Sequence, residues 1–422
     1  MTTTEQTDPT APAGQPAPTT GERLSEALTQ LQQLALSDAF DPAAPAALVS
    51  AGLHLAPVPT AAGGLGLGLR ETAEILAAIA AVDGSVALGF AMHLHVVGAM
   101  AESPGWPDGL REEIYRAIRD EGALLNSAAT EDGGGSPARG ALPETVAVTR
   151  ADGHRLTGEK TWTTWLPALR YALVTARMEH ADGNADADAR PTSVGAVDLG
   201  AGSAGGAPAI GTFLVDLTAP GVHRLPAFEA LGMRGSASGR LRLEAVHVPL
   251  DRLIVRRAPG QLDPRGPASQ GWFGLCVAAT YLGVGESARR AVVRWAIDRR
   301  PGDGSTAVAD LPSVAVRLGR LDAALRAARI VLLDVAGRWD AAEPGGRGRL
   351  LTDVALAKLT ATNAAALATD EALRIAGGPG FLAGPLERAF RDARAGLINP
   401  PLEDVAFQGF ARTLVERERA GD

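Results

Sequence analysis

Apolar residues recur at three- and four-residue spacing over two stretches of this chain, with a two-residue rhythm between them. From Arg23 to Gly122 the pattern is helical and rich in Ala and Leu. It breaks at Pro42, at Pro57 to Pro59 and at Pro104 to Pro107. Leu110, Ile114, Tyr115 and Ile118 mark an amphipathic helix that Gly122 closes. Beyond residue 124 the rhythm shortens to that of strands: Thr145 to Thr149, Tyr171 to Thr175, Thr212 to Val215 and Leu241 to Val248. Turn signals such as Asp152-Gly153 and Ala219-Pro220-Gly221 separate them. Between the second and third strands, 179–211 is a low-complexity insertion of Ala, Asp, Gly and Ser, expected to be a mobile loop. After Ala258 the helical spacing returns and predicts helices over 271–299, 311–338, 350–375 and 402–418, a sequence that suggests a bundle. The expected organisation is a disordered tail over 1–22, a helical domain over 23–123, a β domain over 124–257 and a helical bundle over 258–422.

Composition narrows the function classes. At 422 residues, 46% apolar and 21% charged, the chain can bury the cores of two or three domains. Forty-eight acidic residues against forty basic ones give a net charge of -8, which argues against nucleic-acid binding over a broad face. Only Lys160 and Lys358 among those basic residues are lysine. That scarcity reads as the codon bias of a GC-rich genome rather than as chemistry. Cys276 is the single cysteine, which excludes an intrachain disulfide and a cysteine-clustered metal or iron–sulfur site; its apolar surroundings mark a buried structural thiol. No metal site is expected. The apolar run over 75–100 is interrupted by Asp83, Gly84, Ser85, His93 and His95, so a buried helical hairpin explains it better than a membrane span. The N-terminal residues lack the basic and apolar regions of a signal peptide, and the chain is expected to be cytoplasmic.

Six segments, in shared order and spacing, resemble the acyl-CoA dehydrogenase superfamily of flavoenzymes. Ala129-Thr130-Glu131-Asp132-Gly133-Gly134-Gly135-Ser136 is similar to its T-E-P-x-A-G-S-D loop, and Gly158-Glu159-Lys160-Thr161-Trp162-Thr163-Thr164 to its G-x-K-x-W-I-T strand. Leu231-Gly232-Met233-Arg234-Gly235-Ser236, running on to Val246-His247-Val248-Pro249, is similar to L-G-M-R-x-(S/T) with its V-x-V-P end. Gly283 to Ser287, Ile375 to Gly380, and Leu386 to Arg388 with Arg391 to Arg394 complete the set. Any one segment is also a plain turn or core pattern; it is the combination that carries the resemblance. It implies an α+β fold with an N-terminal helical domain, a middle β-barrel domain and a C-terminal four-helix bundle. It also implies FAD and a homo-oligomer, dimer or tetramer, in which a neighbouring subunit completes the cofactor site.

By the same resemblance Thr130 meets the pyrimidine edge of the isoalloxazine, Trp162 forms its aromatic wall, Thr164 reaches N5 and Ser136 meets the pyrophosphate. Gly377, Gly378 and Gly380 form the turn that approaches the adenine half, where missing side chains expose backbone N–H groups. The family's R-x-x-F-G stretch is replaced by Arg299-Arg300-Pro301-Gly302, and its glutamine falls on Ala315. Arg299 and Arg300 are the candidates for the phosphate contact, and FMN stays open beside FAD. This altered stretch is closer to the superfamily's flavin monooxygenase branch. Asp132 and Pro137 stand where the family commonly has Pro and Asp.

The most informative departure follows Arg391-Asp392-Ala393-Arg394. The family's R-D-A-(K/R)-x-x-x-I-Y-E-G-T places its catalytic glutamate on Pro400, and the alternative base early in the first bundle helix on Phe273. Proline has neither a carboxylate nor the N–H that in the family binds the thioester oxygen. Losing a positioned base costs about 10²–10⁴-fold in rate, and losing an oxyanion donor about 10²–10³-fold. Glu403, Asp404, His93 and His95 are the remaining candidates for a relocated base; the histidines lie on opposite sides of one helix.

Three functions stay open. The first is an oxygen-using monooxygenase or oxidase acting on a small biosynthetic substrate and served by a flavin reductase or by the substrate itself. The second is an α,β-dehydrogenase of acyl-CoA or another acyl thioester with a relocated base. The third is a flavoprotein subunit without turnover.

Overall fold

A computed structural model describes residues 18–34, 38–103, 105–133, 142–180, 197–198, 209–263, 265–302 and 304–421. The first helix, α1 (Thr20–Gln33), starts within the expected tail because Thr19 and Glu22 cap it reciprocally: each backbone N–H donates to the other's side chain. There follow α2 (Ala43–Ser50), α3 (Leu69–Ala80), α4 (Gly84–Glu102) and α5 (Asp108–Glu121). Asp83 caps α4 by accepting from Val86 N at 2.9 Å, and Gly122 ends α5 at a left-handed φ of 65°. The helix α4 is long and apolar enough to cross a membrane, but nearly all of it is buried between α3, the β region and the bundle, as a core helix is.

The middle of the chain folds as one nine-stranded mixed sheet. Its strands are β1 (Leu125–Ala128), β2 (Val146–Arg150), β3 (Gly153–Thr163), β4 (Tyr171–His180), β5 (Val197–Asp198), β6 (Ala209–Asp216), β7 (Val222–Ala227), β8 (Gly239–Val248) and β9 (Leu253–Arg257). The order is β5-β9-β6-β4-β2-β3-β8-β7, with β1 also on β4. One edge of β4 is shared: β1 pairs with it in parallel over Tyr171 to Val174, and β2 over Arg177 to His180. Between those registers the edge is open at Thr175 and Ala176. Beside this gap Glu131, after β1, accepts from the Thr145 hydroxyl, just before β2, at 2.6 Å, and Lys160 Nζ lies 3.5 Å from Thr175 Oγ1. Of the expected insertion, Glu179 and His180 end β4, Val197 and Asp198 form β5, and 209–211 begin β6; the remainder lies outside the described residues.

Five helices follow: α6 (Gly266–Asp298), α7 (Pro312–Ala341), α8 (Leu351–Ala376), α9 (Pro385–Ile398) and α10 (Glu403–Ala420). Glycines let α6 and α8 pack closely and in parallel, since a Cβ on Gly274 would meet Val354 at 2.5 Å and one on Gly285 would meet Ala365 at 3.1 Å. The fourth member of the bundle is α9, which packs on both α6 and α8; the periodicity supplies α10 instead, which rests on α8. Cys276 lies in the core on α6, where burial pushes its thiol pKa up, as expected of a structural cysteine.

An ion network joins the three regions. Arg388 on α9 donates to Asp83 at the start of α4 at 2.6 Å and lies 3.7 Å from Asp392. Asp392 in turn accepts the Met233 N–H at 2.5 Å, and Gly232 lies against the backbone of Arg391 so closely that a Cβ would meet its carbonyl at 2.3 Å. Asp83 and Asp392 are both buried. Burial pushes the Asp392 carboxyl up to about 6, against the Met233 N–H and Arg388, which favour its charge. Removing the guanidinium leaves two buried carboxylates without their cation. Arg388→Ala should therefore cost about 3–5 kcal/mol, read as a lower denaturant midpoint; a loss under about 1 kcal/mol would place the network among ordinary surface pairs.

Candidate functional site

The strand β3 turns out of the ladder where the sequence carries its aromatic motif. Opposite β8, Lys160 pairs with Leu241 but Thr163 with Gly239, so β3 holds one extra residue between them. Such a bulge re-aims a side chain. Trp162 sits in it with φ 56° and is 53% exposed. A large aromatic in the left-handed region is a strained arrangement that the surroundings must hold. They do so from three sides. The Thr161 N–H donates to the Thr130 carbonyl at 2.9 Å, tying the bulge to the loop after β1. The Phe228 ring, just after β7, lies 4.6 Å from the Trp162 ring. Arg240 covers Phe228 at 5.3 Å and is held by Asp132 at 2.6 Å and by Glu159 at 3.4 Å. Asp132, one of the sequence's departures, thus anchors the cation behind the aromatic pair.

Beneath the bulge, Lys160 and Glu131 occupy the gap between β1 and β2. Both are buried, with Nζ 2.5 Å from Oε1. Glu131 also accepts from the N–H groups of Glu144 and Thr145 and from the Thr145 hydroxyl, at 2.6, 3.0 and 2.6 Å. Burial alone would raise its pKa, but Lys160 and these donors hold it below the usual carboxylate range. A carboxylate with four donors is a structural pin, not a free base.

Past Trp162 the chain carries a hydroxyl array. Thr164 Oγ1 lies 2.8 Å from Ser238 Oγ, which lies 2.9 Å from Ser236 Oγ; either partner of each pair can donate. Asn126 Nδ2 holds the Thr164 carbonyl at 3.0 Å. Thr130 and Trp162 are thus joined through the Thr161 N–H and both are exposed, while Thr164, two residues on, is buried with its hydroxyl on Ser238. Ser238, Phe228 and Arg240 are additions. The Leu231-to-Ser236 motif pointed to their neighbourhood, while their pairing with β3 depends on strand register that no local pattern carries.

The other predicted residues lie elsewhere. Ser136 and Pro137 fall outside the described residues. Arg299 and Arg300 are exposed after α6, and the parallel packing of α6 on α8 puts them at the same end of the bundle as Gly377, Gly378 and Gly380. Gly377 has φ +62°, and a Cβ on Gly377 or Gly378 would meet nothing within 4 Å, so these two present open backbone; Gly380, expected beside them, is instead buried, where a Cβ would meet that of Ala376 at 2.7 Å. No hydrogen bond or ion pair among the described residues links that end to the Trp162 surface. A cleft of about 700 Å³ opens between α1, α3, α6 and α9, lined by Asp83, Arg290, Arg294, Arg388 and Asp392; it belongs to the domain junction.

The candidate bases separate sharply. His93 Nδ1 accepts the Leu125 N–H at 3.2 Å, so its Nε2 carries the proton that meets the His54 carbonyl at 3.0 Å. Both ring nitrogens are spent on structure. His95 faces the other way, Nδ1 at 3.3 Å from the Ala91 carbonyl and its ring edge-on to Phe273 at 5.3 Å. Glu403 and Asp404 are exposed in the first turn of α10, where carboxylates complement the helix dipole. Pro400 lies in the joint between α9 and α10, where the Asn399 side chain donates to the Tyr281 hydroxyl at 2.9 Å.

Burial holds His93 near pKa 3 and His95 near 4. Neutral in the fold but protonated when unfolded below about 6.5, they contribute stability that is lost as pH falls from there through their folded values. Their ring-proton resonances should therefore stay fixed from pH 8 down to pH 5; a midpoint near 6.5 for either would show that it is not buried as described.

Residues 272–399 match the model of the acyl-CoA dehydrogenase C-terminal domain. Over 400 residues the chain is 31% identical to a putative acyl-CoA dehydrogenase, YdbM, of Bacillus subtilis strain 168, covering 94% of this chain and 96% of that one. It is 28% identical over 353 residues to the amino sugar nitrososynthase DnmZ of Streptomyces peucetius, covering 81% and 78%. Among solved structures, KijD3 in complex with FMN and a dTDP-linked amino sugar superposes with a TM-score of 0.77 at 24% identity, covering 93% and 92%. At that identity the likeness shows the fold.

Proposed function

This chain belongs to the acyl-CoA dehydrogenase family of flavin-dependent oxidoreductases, and we propose that within it the chain is an oxygen-using enzyme, a monooxygenase or oxidase of a small molecule. The observation that carries this reading is the joint between α9 and α10. The family pattern puts its proton-abstracting glutamate on Pro400, and the nearest carboxylates in sequence, Glu403 and Asp404, face solvent from the first turn of α10. With His93 spent on backbone groups and His95 held by burial near pKa 4, a weak base, the family's usual removal of an acidic α-proton lacks its carboxylate. The similarity to an amino sugar nitrososynthase, a name that denotes oxygen on nitrogen, supports the same side and suggests a small amine as the substrate class.

The residues present fit a flavin. An exposed indole held off the sheet by strain offers a wall for a flat aromatic ring, and Thr130 stands beside it. The Thr164–Ser238–Ser236 hydroxyls can donate or accept at a ring edge, because each can reverse its proton. When bound, the cofactor supplies two-electron redox chemistry and, once reduced, reaction with O₂. The protein's part is to hold the ring, to fix hydroxyl protons at its edge and to shield one face. The electrons come from a partner flavin reductase or from the substrate.

FAD is the first reading of the cofactor, because the exposed Arg299 and Arg300 and the open backbone at Gly377 and Gly378 at one bundle end suit the adenine half held by a second subunit of a homo-oligomer. FMN is the second, favoured by the likeness to KijD3, whose structure contains it. Flavin released from the purified protein and separated by chromatography should run as FAD; FMN alone would assign the bundle end to another role.

Dehydrogenation of an acyl thioester is the competing function, favoured by the 31% identity to YdbM. Anaerobic mixing with a panel of acyl-CoA esters should leave the flavin absorbance unchanged, while the chemically reduced protein should reoxidise in air. Bleaching by a thioester would overturn the oxygenase reading; absence of any flavin, bound or acquired, would favour a subunit without turnover. Trp162→Ala or Thr164→Val should weaken flavin binding or slow reoxidation, about tenfold for loss of one aromatic or polar contact; unchanged behaviour in both would remove them from the cofactor wall.

A further inference from the structure

The two lysines, scarce enough in the sequence to pass for codon bias, are both buried: Lys160 is 0% exposed and Lys358 1%. Arginine fills every other Lys-or-Arg position of this chain. A drift that replaced lysine wherever arginine serves would spare the positions where arginine does not fit. Lys160 is one such position, pinned to Glu131 under the Trp162 bulge. Lys358 makes no ion pair with a carboxylate among the described residues. From α8 its Nζ donates to the carbonyls of Asn399 and Pro401, at 2.6 and 3.1 Å.

Those carbonyls need an outside donor. The joint from α9 to α10 runs Asn399-Pro400-Pro401-Leu402, and two successive prolines remove the N–H groups through which a turn would close on itself. A buried ammonium brings three donors and spends two on the joint. A guanidinium would bring five in a rigid fork to the same two acceptors and leave donors unsatisfied in the core. We propose that Lys358 is a positioning residue of the candidate site: it clamps the 399–401 joint to α8 and so sets where Pro400 and the start of α10 stand, a role that arginine cannot take. The bearing of the clamp on turnover rests on the flavin reading; the clamp itself does not.

The charged and titratable groups around Lys358 are few. Glu403 on α10 is the carboxylate whose field favours the ammonium, and Tyr281 on α6 reaches the joint through Asn399. Burial outweighs Glu403 and lowers the lysine to about 8, against about 10.4 for a solvated one. A group whose pKa is lower in the closed state than in the open state favours closure as its proton leaves, and the neutral amine keeps two donors for the two carbonyls. Raising the pH should therefore tighten the joint.

Hydrogen–deuterium exchange of the α10 amides from Ala406 onward, corrected for intrinsic rates, tests this between pH 7 and pH 9.5. Protection in the wild type should rise by about tenfold or more over that range, as the linkage requires. Lys358→Arg should show no rise, because its guanidinium does not deprotonate, and Lys358→Met should show low protection throughout. On the flavin-loaded protein, the rate of air reoxidation after chemical reduction should change over the same pH range in the wild type and not in Lys358→Arg. A flat wild-type exchange profile, or a rise that persists in Lys358→Arg, would overturn the clamp. An exchange step with identical reoxidation profiles in all three proteins would overturn its positioning role. Should the variants fail to fold, the wild-type profile still decides. A protein that takes up no flavin would fail the functional reading while the exchange profile judges the clamp.

Discussion

A carboxylate and an ammonium buried in the gap between β1 and β2 set the geometry on which the candidate site depends. Taking both charges from water costs several kcal/mol per ion. The pair is tolerated because Glu131 accepts from Lys160 and from three further donors on Glu144 and Thr145. That arrangement fixes the loop after β1 to the middle of β3. With the loop fixed, the Thr130 carbonyl can hold the Thr161 N–H, and the next residue is forced out of the ladder. The exposed, left-handed Trp162 is the result, and the Phe228–Arg240–Asp132 stack keeps its ring in place.

Much of this is legible in the sequence, and the failures have physical causes. The change of period from helix to strand and back locates the three regions, because both signals are local. The four predicted long helices fall within a few residues of α6, α7, α8 and α10. The periodicity does not yield α9. Its fourteen residues are short beside their neighbours, and they coincide with the Leu386-to-Arg394 motif, whose spacing reads as a signature before it reads as a helix. The motifs name Thr130, Trp162 and Thr164, since each sits in a short recognisable string. They cannot supply Ser238, Phe228 or Arg240, which reach the site through the pairing of β3 with β8 and β7 with β8. Register of that kind is a long-range property. The candidate histidines look alike in sequence; the fold separates them, because only burial and backbone partners reveal that His93 is spent.

The two lysines show the same division. Composition marks them as rare, and only the fold reveals that rarity and burial coincide. One pins the loop that carries Thr130, the other the joint that carries Pro400. The two segments with the clearest departures from the family pattern, at Asp132 and at Pro400, are thus each held by a compact buried cation or its neighbours. A proline in place of the family's customary carboxylate suits chemistry that does not begin with an α-proton, and reaction of a reduced flavin with O₂ is chemistry of that kind.

The most direct test is a crystal structure of the protein with its flavin bound. The isoalloxazine should lie against the Trp162 ring with the Thr164–Ser238 hydroxyls at its edge, and with no carboxylate poised over the reactive face. A Glu403 or Asp404 side chain reaching that face, or a flavin seated away from Trp162, would contradict the oxygenase reading and the wall assigned to it.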